Sequence, residues 1–206
     1  MPDTDFVPNK DPDFPLLFIY LHGFNSKGDP NNRKLKALEK LGDTMTIDYN
    51  TFSSFDSIHS KLSDEIEQIY LSQDDHFVVL VGTSLGGYWA SVIGKRLGIP
   101  AVLINPAIQP QQTLKKHVGV EIKNFKDGQL NTLSEELPAS YPDAPKVGMF
   151  LILVDQGDDV LNPTAIKSWF TKNPVITFEG GSHRFEHMKE ALPEISKFVN
   201  RILTAI

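Results

Sequence analysis

The 206-residue sequence reads as an α/β protein built on a largely parallel sheet. Three observations carry that reading. Short apolar blocks, mostly rich in β-branched or aromatic residues, recur along the chain. Segments with helical spacing of apolar residues fall between them. Several of the short blocks are apolar throughout, as strands covered on both faces must be. Strands and helices that take turns in this way lay right-handed crossovers onto one sheet.

The first strand is Leu16 to Leu21. A basic stretch beginning near Asn32, with Leu35, Leu38 and Leu41 at three-residue intervals, forms the first helix and leaves Lys34, Lys36 and Lys40 on a solvated face. Met45 to Tyr49 is the second strand, and Ile58, Leu62, Ile66, Ile69 and Tyr70 recur three or four residues apart along the second helix. Phe77 to Val81 forms the third strand, followed by a helical run from Tyr88 to Leu97, and Ala101 to Ile104 forms the fourth. Phe150 to Val154 and Val175 to Phe178 are the last strands, and Ile195, Phe198, Val199 and Ile202 give the closing helix its apolar stripe.

The span from Pro106 to Lys146 breaks the rhythm. It carries Pro106, Pro110, Pro138, Pro142 and Pro145, has no strand-like block, and accommodates short helices at Gln111 to His117 and Thr132 to Leu137. It is far longer than an ordinary connection in an α/β unit. Long excursions at the carboxyl end of a parallel strand tend to cover a ligand crevice, so residues 106–146 are expected to be a cap. Residues 1–14, with Asp3, Asp5, Asp11 and Asp13 against Lys10, read as a polar tail, leaving 15–206 as a single domain with the cap inserted.

Composition narrows the function. Apolar residues make up 40% of the chain and 14 residues are glycine, near the values of a globular domain, which removes the disordered and fibrous classes. Twenty Lys and Arg against 26 Asp and Glu give a formal charge of −6, so no basic surplus exists to neutralise a nucleic acid or an anionic membrane. No apolar run approaches membrane-helix length, and the acidic N-terminus does not resemble a secretory signal, so a cytoplasmic protein is expected. The chain has no cysteine, which excludes thiolate nucleophiles, Cys-ligated zinc and iron–sulfur clusters together. Any nucleophile is therefore oxygen or amine. No cofactor is expected, and the oligomeric state is not legible.

The strongest motif is Gly82-Thr83-Ser84-Leu85-Gly86-Gly87, a G-x-S-x-G directly after a strand and directly before a helix. A serine hydroxyl is a weak nucleophile and must be lifted from the sheet edge on a tight strand-to-helix turn, where glycines relieve the crowding and the helix start offers N–H donors. Chance alone yields this pattern in roughly 0.07 of chains of this length, taking Gly and Ser each near 7% of residues. Gly82 to Gly87 also fits half a phosphate loop, but Tyr88 and Trp89 stand where Lys and Ser or Thr are needed.

Three further segments agree with the serine. His22-Gly23-Phe24 ends the first strand, where a serine hydrolase takes its second oxyanion donor; the Phe24 N–H would join that of Leu85, supported by His22 and Gly23. Gly157-Asp158-Asp159 follows the fifth strand and offers Asp158 as the acid, with Asp155 and Asp159 read as solvated loop carboxylates. Gly180-Gly181-Ser182-His183 follows the sixth strand and offers His183 as the base. The order Ser84, Asp158, His183 is that of the α/β-hydrolase fold. A metal held by His183 and His187 is disfavoured, because H-R-F-E-H puts Glu186 in the wrong slot for H-E-x-x-H.

Taken together, Leu21-His22-Gly23-Phe24-Asn25-Ser26, Gly82-Thr83-Ser84-Leu85-Gly86-Gly87-Tyr88-Trp89-Ala90, Asn105-Pro106-Ala107, Gly157-Asp158-Asp159-Val160-Leu161 and Gly180-Gly181-Ser182-His183 resemble the YqiA/YcfP-like family of small bacterial esterases. That resemblance implies a reduced α/β-hydrolase fold, with six or seven mostly parallel strands flanked by helices, and carries the nucleophile to Ser84, the acid to Asp158 and the base to His183. The expected activity is that of a serine carboxylesterase on small-molecule esters of short to medium acyl chains. A thioesterase or acyl transferase would use the same three residues, and a non-catalytic binding protein would leave them idle. Phe52, Phe55, Tyr88, Trp89, Phe125 and Tyr141 are candidates for an acyl pocket that also read as ordinary core.

Overall fold

A computed structural model describes residues 15–73, 75–110, 113–114 and 149–205. The expected tail, most of the expected cap, the expected helix Thr132 to Leu137, and both Phe125 and Tyr141 lie outside the described residues; of the expected helix Gln111 to His117 only Thr113 and Leu114 are described, and both are helical.

Six strands form one sheet: β1 Leu16–Leu21, β2 Asp43–Ile47, β3 Phe77–Thr83, β4 Ala101–Ile104, β5 Phe150–Asp155 and β6 Val175–Phe178. Their order is β2-β1-β3-β4-β5-β6, and every neighbouring pair is parallel. All six apolar blocks of the sequence are strands. The helices are α1 Arg33–Leu38, α2 Phe55–Ser72, α3 Leu85–Leu97, α4 Pro163–Trp169 and α5 Met188–Leu203.

The pleat of the sheet sorts side chains into two cores. Leu17, Ile19 and Leu21 of β1 face one way with Leu80, Leu103 and Ile152, and meet Ile58, Leu62 and Ile66 of α2, Trp89 and Ile93 of α3 and Ile166 of α4. Leu16, Phe18 and Tyr20 face the other way with Val79, Val102 and Leu151, and meet Leu35 and Leu38 of α1 and Ala191, Ile195, Phe198 and Val199 of α5. Central strands are thus buried on both faces, which explains why their sequences are continuous apolar runs rather than alternating ones. Truncating a fully buried side chain such as Phe18 or Trp89 to alanine costs about 3–5 kcal/mol.

Caps set where the helices begin. The Asn32 side chain accepts from Lys34 N–H, Ser54 from Ser57 N–H, and Asn162 from both Thr164 and Ala165 N–H. The last of these starts α4, a short helix that the sequence reading passed over; its signal was Asn162 followed by Pro163 at the first helical position. Gly98, with φ 71°, ends α3 in the left-handed conformation that favours glycine. The expected solvated face of α1 needs a correction. Lys36 and Lys40 are exposed, but Lys34 is half-buried, and burial pushes its ammonium down to about 8 against the pull of Asp155 and with a further push from Arg184.

Candidate active site

The chain reverses its direction of growth across the sheet between β1 and β3, and Ser84, Asp158 and His183 meet beyond the carboxyl ends of the strands. Ser84 follows β3 and caps α3. Its φ of 56° and ψ of −120° lie where a non-glycine residue is strained, at a cost of about 1–3 kcal/mol. Three backbone bonds hold it there: Ser84 N–H donates to the Ile104 carbonyl at 3.0 Å, and the Ser84 carbonyl accepts from Ala107 N–H at 3.0 Å and Tyr88 N–H at 3.2 Å. A Cβ on Gly82 would strike the Gly86 carbonyl, and one on Gly86 would strike the carbonyls of Leu21 and His22. The glycines of the motif are therefore fixed by backbone packing against backbone.

Ser84 Oγ lies 3.0 Å from His183 Nε2, and His183 Nδ1 lies 2.8 Å from Asp158 Oδ2. With Asp158 ionised, Nδ1 carries the proton and Nε2 is left as the acceptor for the serine hydroxyl. The second oxygen of Asp158 accepts from Val160 and Leu161 N–H, both at 2.8 Å, which locks the carboxylate in place. The three residues come from the ends of β3, β5 and β6. Their loops approach closely: Gly157 N–H donates to the Gly180 carbonyl at 2.6 Å, and a Cβ on Gly157 would collide with the Gly181 carbonyl.

His22 and Gly23 lie beside the serine. A Cβ on Gly23 would sit 3.4 Å from Ser84 Cβ and from the Thr83 carbonyl oxygen and 4.0 Å from Ser84 Oγ, in ordinary contact with the serine side chain. The His22 ring is buried and stacks on Tyr49 at 4.3 Å. Its Nδ1 bonds the Gly23 carbonyl at 3.0 Å, which turns the opposite edge of that planar peptide, the Phe24 N–H, the other way. Nε2 cannot both accept from Tyr49 N–H at 3.3 Å and donate to Asp48 Oδ1 at 3.2 Å. The Gly23 carbonyl can only accept, so Nδ1 is the donor in that bond. The Tyr49 hydroxyl donates to the His22 carbonyl at 2.6 Å, and burial, with Tyr20 adding to it, raises that phenol so that it stays a donor. Leu85 N–H stands at the first position of α3, among the donors a helix leaves unsatisfied.

Several residues fall elsewhere than expected. Asp155, read as a solvated loop carboxylate, is the last residue of β5 and fully buried; its oxygens accept from Ser182 N–H, Glu186 N–H and His187 Nδ1. Tyr88 and Trp89 are 1% and 0% exposed in the core beneath α3, and neither offers surface to a ligand in this structure. Phe55 stacks on Trp89 at 5.0 Å, and the half-exposed Phe52 meets Phe24 edge-on at 5.0 Å. Asn105 and Tyr49, which sequence reasoning did not assign to the site, both bond its loops. Among the described residues no group of His, Asp and Glu side chains is arranged to hold a metal, and no helix is long and apolar enough to cross a membrane.

A parallel sheet with helices on both faces, a strained serine after its third strand and a Ser–His–Asp array ordered as here define the α/β-hydrolase fold class. The chain belongs to the uncharacterised protein family UPF0227, whose model matches residues 17–200, in keeping with its likeness to the YqiA/YcfP-like proteins. A UPF0227 protein of Vibrio parahaemolyticus is 26% identical over 190 residues, covering 89% of this chain and 99% of the relative. Among solved structures, Est1E from Butyrivibrio proteoclasticus superposes with a TM-score of 0.67 at 17% identity, covering 97% of this chain and 92% of that one. A Pyrobaculum calidifontis esterase gives 0.61 at 14% identity, covering 94% and 78%. At such identities the likeness is one of fold.

Proposed function

We propose that this protein is a serine hydrolase that cleaves carboxylic esters of short to medium acyl chains through an acyl-enzyme on Ser84. The observation that carries the reading is the unbroken hydrogen-bond relay from Ser84 Oγ through both nitrogens of His183 to Asp158. Ser84 Oγ attacks the ester carbonyl while His183 Nε2 takes its proton. The carbonyl oxygen becomes an oxyanion held by the N–H groups of Phe24 and Leu85. His183 returns the proton to the departing alcohol, leaving the acyl group on Ser84. A water then gives its proton to Nε2 and adds to the acyl carbon, and the bond from that carbon to Ser84 Oγ breaks as Nε2 passes the proton to Oγ, which releases the acid and the free serine. Asp158 keeps the ring in the required tautomer and offsets the charge of the imidazolium.

A fluorophosphonate probe followed by peptide mapping tests the activated serine. Labelling at Ser84, absent in Ser84→Ala, is the expected result; an unlabelled, folded wild type points instead to a hydrolase fold used for binding. A series of p-nitrophenyl esters from acetate to palmitate then reads the acyl preference. Acyl-thioester and alcohol-acceptor assays separate thioesterase and transferase chemistry on the same residues. Robust activity of Ser84→Ala on any of these esters overturns the proposal.

A further inference from the structure

Outside the Ser84–His183–Asp158 relay lies a second set of buried polar groups, aimed at the loop that carries His183. Asn105, fully buried at the end of β4 with φ 40°, donates from Nδ2 to the carbonyls of Ser182 at 3.0 Å and His183 at 3.3 Å. Its Oδ1 accepts from the N–H of Asp155 at 2.9 Å. The Asp155 carboxylate then holds the same loop from the next strand: Oδ2 accepts from Ser182 N–H at 3.2 Å and Glu186 N–H at 2.8 Å, and Oδ1 lies 2.8 Å from His187 Nδ1. His187 is sandwiched onto Phe178 of β6 with ring centroids 5.3 Å apart and planes within 9°. Phe185, buried with φ 57°, meets the same Phe178 edge-on. A Cβ on Gly181 would strike the Asp155 carboxyl, so the loop is packed directly on that group.

A fully buried carboxylate is costly unless bonds offset its desolvation, and all three bonds from the Asp155 carboxylate land on the segment that carries His183. Here both ends of the Ser182–His187 segment, and the His183 carbonyl itself, are tied to two adjacent strand ends. We propose that Asn105, Asp155 and His187 form a positioning clamp that sets the height of His183, so that one ring nitrogen meets Ser84 while the other meets Asp158. The inference rests on the reading of His183 as the general base. None of the three touches the reacting atoms; each acts through the backbone that bears His183. A misplacement near 1 Å at a reacting group can cost about 10²-fold in rate, which makes this backbone a sensitive point.

The test compares Asn105→Ala, His187→Ala and His187→Asn, each checked for folding by circular dichroism and thermal melting. His187 is the safer site, since its side chain is 26% exposed and the substitution removes one hydrogen bond, to Asp155, and the stacking on Phe178. Expected are a fall in kcat of about tenfold for His187→Ala and about 10²-fold for Asn105→Ala, with KM unchanged. His187→Asn, whose amide N–H can stand in for Nδ1–H, should recover to within about threefold of wild type. The low-field proton resonance of the His183 Nδ1–H should broaden or disappear in His187→Ala and return in His187→Asn. Folded alanine variants with wild-type kcat and an unaltered resonance overturn the clamp. If the wild type hydrolyses no ester, the proposed function fails, yet the resonance alone still decides whether the clamp orders His183.

Discussion

Asp158 serves His183 with one oxygen and its own loop with the other: Oδ2 lies 2.8 Å from His183 Nδ1, while Oδ1 accepts from Val160 and Leu161 N–H. An amide in place of the carboxylate can keep only one of these arrangements intact. With its oxygen on the two backbone donors, Asp158→Asn turns an NH₂ group toward Nδ1, the ring adopts the tautomer with its proton on Nε2, and Ser84 faces a donor. The expected loss is about 10⁴-fold in kcat with the fold preserved. Ester hydrolysis with circular dichroism measures it, and a loss under tenfold contradicts the assigned role.

The strained backbone of Ser84 separates activity from stability. Ser84→Ala keeps the strain and removes the hydroxyl, with an expected loss of roughly 10⁶-fold in kcat. Ser84→Gly loses the same activity but relaxes the backbone, and should be more stable than the alanine variant by about 1 kcal/mol. Denaturant midpoints decide; a glycine variant no more stable than the alanine one means the conformation carries no strain.

Two substitutions probe the Phe24 loop. Gly23→Ala puts a methyl 4.0 Å from Ser84 Oγ without a backbone collision, so it should fold normally and lose activity. His22→Ala frees the Gly23 carbonyl that orients the Phe24 N–H, and should cost up to about 3 kcal/mol of transition-state stabilisation, the value of one oxyanion donor. In His22→Ala the loss belongs in kcat rather than KM. A KM-only effect would show that the loop binds substrate without stabilising the oxyanion.

Stability should carry a pH signature at the opposite end of the sheet. His76 has Nδ1 2.7 Å from Asp75 and Nε2 3.4 Å from Asp43, and the bond to Asp75 is the main cause that raises its ionisation, opposed by burial and aided by Asp43. The native chain therefore binds this proton more tightly than the unfolded chain. The stabilisation is complete below the ordinary histidine value of 6.5 and is lost as pH rises through the raised native value. The gap in denaturation midpoint between wild type and His76→Gln should be widest near about pH 5.5, narrow by about pH 9, and shrink with added salt. A gap independent of pH rules this out. His187 is shifted in the same direction, first by its bond to Asp155 and then by the charges of Asp155, Glu190 and Glu186, so His187→Asn should show the same sign.

Much of this architecture is legible in the sequence because burial on both faces writes itself as unbroken apolar blocks, and because the serine, aspartate and histidine each follow one. Asp155 was not legible: its local context, a strand end beside two further aspartates, reads as solvated, and only the docking of the Ser182–Glu186 backbone onto it makes it a buried acceptor. Asn105 and Tyr49 escape for the same reason, since their partners lie 77 and 27 residues away. Tyr88 and Trp89 look alike in sequence whether they line a pocket or fill a core, and packing under α3 decides it. The helix Pro163–Trp169 is under two turns long, too short for apolar periodicity to stand out, although its Asn-Pro start was readable.

The parallel sheet also orders the appearance of activity in time. Ser84 and His183 are separated by 99 positions, with β4, β5 and β6 between them. During synthesis from the amino terminus, the elbow is made long before its base, and a nascent chain lacking β6 holds a serine with nothing to take its proton. If Ser84 is acylated as proposed, partly made chains and chains cut before the last strand should be chemically silent toward esters, and acylation would await a complete sheet.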